Sequence, residues 1–141
     1  MHTILVGFKN MRFSTKAEYG LKAMTNLANI FPGQKTLHQI SCEEKISSKY
    51  LERLMGVLRK NNLIISRKGK NGGYTLAKNP VYINIGEIIE TLEGPISPMK
   101  CVGKHCIMEK KCASNVVWNT LGKAIKQTLY KIKLNNLVNS H

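Results

Sequence analysis

The sequence predicts a mainly α-helical fold with one small β-hairpin, and three features of the chain support this prediction. Apolar residues recur at helical spacing in three successive segments between residues 15 and 60. Two short apolar segments follow, separated by Asn71-Gly72-Gly73, a typical hairpin turn. A longer helical pattern lies near the C-terminus. The 141 residues suffice for one domain with its own core and an extension.

The first helix is expected from about residue 15 to 30, where Pro32 and Gly33 follow it. Thr15 and Glu18 match a capping box, in which each side chain bonds the backbone N–H of the other residue. The apolar positions are Leu21, Met24, Leu27, Ala28 and Ile30.

Two further helices complete the helical part of the first domain. Thr36 and Gln39 form a second capping box before a short helix near residues 37 to 44. Ser47 or Ser48 can cap the third helix, which has one apolar stripe and one polar face. The stripe consists of Tyr50, Leu51, Leu54, Val57 and Leu58, and the polar face carries Lys49, Glu52, Arg53 and Lys60.

Residues 63–65 and 74–76 predict the two strands of the hairpin. Three helices followed by a hairpin is the order of a winged helix-turn-helix domain, which we expect to span residues 11–80 with residues 1–10 as a flexible extension. Cations gather near the hairpin tip, namely Arg67, Lys68 and Lys70. Such cations are often merely solvated, but a hairpin that follows a polar-faced helix favours contact with DNA.

The C-terminal part is expected to contain three segments. Asn84 and Glu87 mark the start of a short connecting helix within residues 81–94, and a cysteine-containing loop follows at 95–113. Residues 114–141 form a long helix and tail, with an apolar stripe of Val116, Val117, Leu121, Ile125, Leu129, Ile132 and Leu137. A two-fold dimer would bury this stripe, whereas the alternative is that the helix folds back on its own domain.

Charge and composition limit the classes of function. There are 22 Lys and Arg against 8 acidic residues, and residues 1–80 hold 14 of the bases and 4 of the acids. This excess favours a polyanionic partner such as double-stranded DNA, although codon bias in an AT-rich genome also produces many lysines. No segment has the length of apolar sequence that a membrane span needs. The first ten residues lack the pattern of a secretory signal, so a bacterial cytoplasm or a plastid stroma is expected.

Three cysteines, Cys101, Cys106 and Cys112, lie within twelve residues and are surrounded by Lys100, Lys104, Lys110 and Lys111. Nearby cations favour thiolates, which bind metals and are readily oxidised. Three cysteines in a reducing compartment do not indicate structural disulfides, so metal or redox chemistry is favoured. Cys42, in the second helix, is expected to be a small packing residue.

Five segments together resemble the IscR/NsrR family of iron-sulfur winged-helix transcription regulators. They are MRFSTKAEYGLKAM from Met11, ISSKYLERLMGVLRKNNLI, RKGKNGGYTLAKNP, INIGEIIETLEGP and the three-cysteine loop. The resemblance covers residues 11 to about 135 and implies a homodimer on a palindromic operator, with DNA binding controlled by a cluster. It also implies that the third helix enters the major groove. The implied DNA-contacting residues are Ser48, Lys49, Tyr50, Glu52 and Arg53, with Arg67, Lys68 and Lys70 on the wing.

The resemblance further implies that Cys101, Cys106 and Cys112 bind an iron-sulfur cluster, with [2Fe–2S] preferred to [4Fe–4S]. The position of the histidine ligand in some members is Asn115 here, whereas members with a carboxylate ligand carry it at the position of Glu18. Glu18 is therefore the leading fourth ligand, supplied across the dimer. His105 is the alternative, and His38, an external thiol or no fourth ligand remain open.

Two other interpretations use the same cysteines. They could hold a structural zinc ion, or form a metal-free thiol switch in which two of them join in a disulfide on oxidation. An enzyme is not expected, because no capped nucleophile, paired carboxylate or phosphate-binding loop accompanies the four histidines.

Overall fold

The computed structural model describes residues 13–96 and 113–138, which contain five helices and one hairpin. The helices are α1 (Thr15–Ile30), α2 (Leu37–Glu44), α3 (Ser48–Lys60), α4 (Ile85–Glu93) and α5 (Asn115–Lys131). Strands β1 (Ile64–Arg67) and β2 (Gly73–Leu76) lie between α3 and α4, and short 3-10 turns occupy Pro80–Tyr82 and Leu134–Leu137. The predicted mainly α fold with a hairpin wing is confirmed.

Local capping defines the helix-turn-helix formed by α2 and α3. Thr36 Oγ1 accepts a hydrogen bond from Gln39 N, and Gln39 Oε1 accepts one from Thr36 N, so the predicted capping box is present. Lys45 ends α2 in the left-handed conformation, with φ of 57°. Ser47 then caps α3 by accepting a hydrogen bond from Tyr50 N at 3.3 Å. A three-residue turn thus joins the two helices.

The cap of α1 differs from the prediction. Ser14 is the N-cap, and its hydroxyl accepts a hydrogen bond from Lys16 N at 3.2 Å. Glu93, at the end of α4, accepts hydrogen bonds from Ser14 N and Ala17 N. The predicted capping box of Thr15 and Glu18 is wrong, because helix capping falls to Ser14 and a carboxylate from another helix.

The hydrophobic core lies between α1, α2, α3 and α4 and extends to the C-terminal 3-10 turn, whose Leu134 is fully buried. Helix α3 buries Leu51, Leu54, Met55 and Leu58. Val57 is 38% exposed, so its predicted place in the stripe is taken by Met55. The helical period allows both assignments, since the two residues border opposite sides of the same stripe.

The hairpin is antiparallel, with Ile64 opposite Leu76 and Arg67 opposite Gly73. Strand β1 reaches Arg67, two residues beyond the predicted strand. The free edge of β2 is attached to the turn between α1 and α2 by a pair of backbone hydrogen bonds between Lys35 and Tyr74, of 3.0 and 2.7 Å. The wing is therefore held to the helical body by backbone contacts.

Helix α4 begins as predicted, because Asn84 Oδ1 accepts a hydrogen bond from Glu87 N at 2.7 Å. The C-terminal end of α5 packs on α4. Two backbone hydrogen bonds reinforce this contact, from Ile85 N to the carbonyl of Ile132 and from Leu134 N to the carbonyl of Ile83. The helix ends at Lys131, so the last part of the predicted stripe lies beyond it.

The N-terminal half of α5 is different, because Val116 and Val117 are 69% and 58% exposed. Helix α5 thus packs on its own domain through its C-terminal half, whereas apolar side chains of its N-terminal half are exposed. Within residues 13–96 and 113–138, no helix is long and apolar enough to cross a membrane.

Candidate DNA-binding surface and ligand residues

The exposed face of α3 carries four of the five predicted DNA-contacting residues of that helix: Ser48, Lys49, Glu52 and Arg53. The opposite face is buried in the core, so the direction of this face is fixed by the fold. In a helix-turn-helix domain the second helix lies in the major groove and the start of that helix contacts the base edges. All four residues lie in the first two turns of α3.

Ser48 has an internal partner that the sequence did not reveal. Its hydroxyl donates to Ser41 Oγ at 3.1 Å, and the Ser41 hydroxyl in turn donates to the carbonyl of Ile46. This chain of hydrogen bonds links α2, the turn and α3. Because the Ser48 proton is used internally, its oxygen is available as an acceptor, which suits the amino group of a cytosine or adenine better than a phosphate.

Tyr50 is half-buried and packs against α1. Its ring meets the ring of Tyr19 edge-on, with centroids 5.8 Å apart and an interplanar angle of 84°. The Tyr50 hydroxyl lies 3.4 Å from Thr15 Oγ1. Tyr50 therefore positions the start of α3 on α1, a role that the sequence analysis did not assign to it.

The wing carries three exposed cations, Arg67 at the end of β1 and Lys68 and Lys70 at the tip. In the described part of the chain, none of them pairs with a carboxylate. Lys35, beside β2, is different, because its ammonium group contacts Asn26 Oδ1 at 2.8 Å and Glu43 Oε2 at 2.9 Å. Lys35 is thus part of the support of the wing, whereas the tip cations remain available to a phosphate.

The candidate metal ligands are divided between described residues and the rest of the chain. Cys101, Cys106, Cys112 and His105 lie outside the described residues. Glu18 is exposed in the first turns of α1, where its carboxylate pairs with Lys22 at 3.5 Å. Asn115 is buried at the start of α5. No three His, Cys, Asp or Glu side chains in residues 13–96 and 113–138 come together as a metal site.

Cys42 is exposed, and its sulfur lies 3.6 Å from His38 Nε2. The prediction that Cys42 packs in the interior is wrong. Helix α2 buries Ile40 as its core residue, and a residue two positions later lies on the opposite side of a helix. Cys42 and His38 lie on α2, whereas the candidate ligand Glu18 lies on α1.

Tyr130 connects α5 to α4 through a polar contact. Its hydroxyl donates to Glu90 Oε2 at 2.8 Å, and Lys126 lies 3.6 Å from Glu90 Oε1. Burial raises the pKa of Tyr130 to about 12, with the hydrogen bond and negative charge of Glu90 and the charge of Glu87 as further causes. The neutral phenol is thus the form that the folded protein favours.

The comparison with protein families decides the class of the molecule. The sequence model of the Rrf2 family, described as an iron-dependent transcriptional regulator, matches residues 13–140. The chain belongs to the Rrf2 family.

Relatives within the Rrf2 family agree with this assignment. The chain is similar to the HTH-type transcriptional regulator IscR of Klebsiella pneumoniae, at 36% identity over 92% of this chain and 81% of that protein. The fold is similar to that of CymR, the global cysteine regulator of B. subtilis, with a TM-score of 0.76 at 34% identity over 92% and 98% of the two chains. T. potens IscR gives a TM-score of 0.73 at 37% identity, over 89% and 85%.

This Rrf2-family chain is therefore a transcriptional regulator with a winged helix, and the resemblance to IscR inferred from its motifs is confirmed. The names of the relatives describe transcriptional regulators, a non-enzymatic role, which confirms the prediction that the protein is not an enzyme.

Proposed function

We propose that the protein is a DNA-binding regulator that acts as a homodimer on a palindromic operator, and that an iron-sulfur cluster controls its DNA binding. The observation that carries the proposal is the solvent-facing polar side of α3 beside an exposed basic wing. We place this regulator in a bacterial cytoplasm, since IscR of Klebsiella pneumoniae and CymR of B. subtilis are bacterial.

The proposed DNA contacts follow from the chemistry of the exposed side chains. Arg53 can donate two hydrogen bonds to a guanine edge, Glu52 can accept one from a cytosine amino group, and Lys49 can bind phosphate. Tyr50 and Ser48 complete the set on α3. On the wing, Arg67, Lys68 and Lys70 would bind phosphates or enter the minor groove.

A homodimer would bring two copies of α3 to one face of the duplex. The exposed valines at the start of α5 support this arrangement, because a second copy would remove them from water. Two copies of α3 would then contact half-sites about 34 Å apart, one turn of B-DNA. A small rotation between the copies would be enough to prevent both helices from docking.

The proposed cluster ligands are Cys101, Cys106 and Cys112 with Glu18 from the partner copy. Thiolates and a carboxylate suit iron, and a [2Fe–2S] cluster is preferred. The exposed carboxylate of Glu18 supports the choice, since Ser14 rather than Glu18 serves the cap of α1 and Glu18 forms only a surface ion pair with Lys22 among the described residues. A bound cluster would supply sensitivity to iron, oxidants or nitric oxide.

The DNA part of the proposal is tested by selection from a randomised duplex library with the purified protein. We expect enrichment of a palindromic duplex, and a loss of affinity for it of about fivefold or more in Arg53→Ala, because a bidentate base contact contributes about 1–3 kcal/mol. Lys131→Ala makes the same change of charge on α5 and should lose much less. Failure to enrich any duplex, or equal losses in both variants, would contradict the proposal.

The cluster part is tested by the visible absorption spectrum and by the iron and acid-labile sulfide content of protein purified without oxygen. We expect iron and sulfide in the unmodified chain and an altered spectrum in Glu18→Ala, but not in Glu43→Ala, which removes a carboxylate from α2. Zinc without sulfide would indicate a structural metal, and absence of metal would indicate a thiol switch.

A further inference from the structure

The last residue of α4 holds the first turn of α1. Glu93 Oε1 accepts hydrogen bonds from Ser14 N at 3.1 Å and from Ala17 N at 3.3 Å, and it also accepts one from the Ser14 hydroxyl. These donors lie at the N-terminus of α1, where backbone N–H groups lack the usual helical acceptor, and Ala17 N shares its proton between Glu93 and the carbonyl of Ser14, at 3.1 Å. A carboxylate at that end is also favoured by the helix dipole. One side chain thus serves as a cap for a helix that precedes it by 79 residues.

Close packing reinforces this contact. Gly20 on α1 faces the side chain of Leu92, and a Cβ atom at Gly20 would collide with the Leu92 methyl group. Leu92 is buried, as is Ala17 one turn before Gly20. The two helices therefore meet without intervening space beside Glu93, and any relative movement would separate the carboxylate from its donors.

The same turn of α1 supports the start of α3. Thr15 lies next to the Ser14 cap and places its hydroxyl oxygen 3.4 Å from the Tyr50 hydroxyl. Tyr19, one turn later, places its ring against the ring of Tyr50. A continuous set of contacts therefore runs from the end of α4, through the first turn of α1, to the start of the DNA-facing helix.

We propose that Glu93 is a positioning residue that fixes α3 relative to the end of α4. In the sequence Cys101 follows Glu93 by eight residues. This inference rests on the proposed function and names the side chain through which a change at the cysteines reaches the DNA-contacting surface. Loss of the carboxylate loosens the first turn of α1 and, with it, the position of Tyr50. Part of the free energy of DNA binding is then used to fix Tyr50, and the affinity for DNA falls.

The test uses the full-length protein and the duplex enriched from the random library. Glu93→Ala is expected to bind this duplex about fivefold more weakly, the factor that corresponds to a lost helix cap. Glu93→Gln retains an acceptor oxygen and should recover most of the affinity. Glu87→Ala, on the same helix, makes the same change of charge and should bind as well as the unmodified protein or better, since removal of a negative charge favours binding to a polyanion.

A double-mutant cycle with Tyr50→Phe distinguishes positioning from general stabilisation. If Glu93 acts through Tyr50, the effects of the two substitutions on DNA affinity are not additive. Additive effects, or an unchanged affinity in Glu93→Ala, would overturn the inference. If Glu93→Ala fails to fold, Ser14→Ala removes the hydroxyl partner and serves in the same cycle. Failure of the library to yield any duplex would count against the proposed function itself, whereas an enriched duplex bound equally by Glu93→Ala counts against this inference alone.

Discussion

Substitution of Gly73 by alanine is expected to detach β2 of the wing from the turn between α1 and α2. Gly73 begins β2 with φ of 154°, a conformation that favours glycine, and it faces the backbone of Lys35. A Cβ atom at Gly73 would lie 2.5 Å from the carbonyl oxygen of Lys35 and 3.1 Å from Thr36 N. Both are backbone atoms, so no side chain can rotate away to relieve the contact.

The magnitude follows from the geometry. To reach a separation of 3.0 Å, the shortest that real Cβ atoms adopt, the two backbones must part by about 0.5 Å. This movement stretches both hydrogen bonds between Lys35 and Tyr74, each of which contributes about 1 kcal/mol. Backbone strain at the substituted residue adds roughly 1–2 kcal/mol. Together these effects lower the free energy of unfolding by about 2–4 kcal/mol.

Thermal unfolding followed by circular dichroism measures this effect, and a decrease of about 10 °C is expected for a chain of this length. Gly56→Ala is the matched control. Gly56 lies within α3 and a Cβ atom there would meet nothing within 4 Å, so alanine should stabilise the helix by up to about 1 kcal/mol. If Gly73→Ala unfolds within about 2 °C of the unmodified protein, the wing is not held at this point and the reasoning fails.

Three further predictions address the wing, the cysteines and α5. Arg67→Ala should weaken binding to the enriched duplex and reduce the salt dependence of the affinity by about one contact; an unchanged salt slope would mean that the wing points away from DNA. Cys106→Ala should abolish the response of DNA binding to oxidant or nitric oxide without unfolding the protein, and a retained response contradicts the cluster proposal. The pKa of Tyr130 is raised to about 12, whereas the unfolded chain ionises this phenol near pH 10. The folded protein therefore favours the neutral phenol. The stability that this preference contributes is complete below pH 10 and is lost between pH 10 and 12. Urea unfolding should therefore show a larger loss of stability from pH 9 to pH 11.5 in the unmodified protein than in Tyr130→Phe, and equal losses would refute the role of Tyr130.

The sequence predicted those elements whose signals are local. The box of Thr36 and Gln39 and the cap at Asn84 involve residues within three or four positions of one another, and both are present. The hairpin is present as well, but its turn spans residues 68–72, and Gly73, predicted as part of the turn, is the first residue of β2. Because such contacts form within one turn of chain, residue type and spacing are enough to identify them. The polar face of α3 follows likewise from its apolar stripe.

The elements that the sequence missed depend on partners far along the chain. The sequence analysis assigned the cap of α1 to Thr15. The cap is formed by Ser14 together with Glu93, and Glu93 lies 79 residues from Ser14, so no local pattern indicates it. The interior position of Cys42 was wrong because a helix as short as α2 buries little, and the pattern does not indicate which side faces the core. The role of Tyr50 in supporting α3 likewise requires Tyr19 and Thr15, which only the folded chain brings beside it.

The position of the wing does not depend on the side chains at its tip. Strand β2 is held by main-chain atoms of Lys35 and Tyr74, together with a hydrogen bond from the Thr75 hydroxyl to the carbonyl of Gly33. The side chains at the tip, residues 68–72, contribute nothing to this attachment through those bonds. Successive substitutions at the tip can therefore change the charge and shape of the wing during evolution while the scaffold that presents them stays the same.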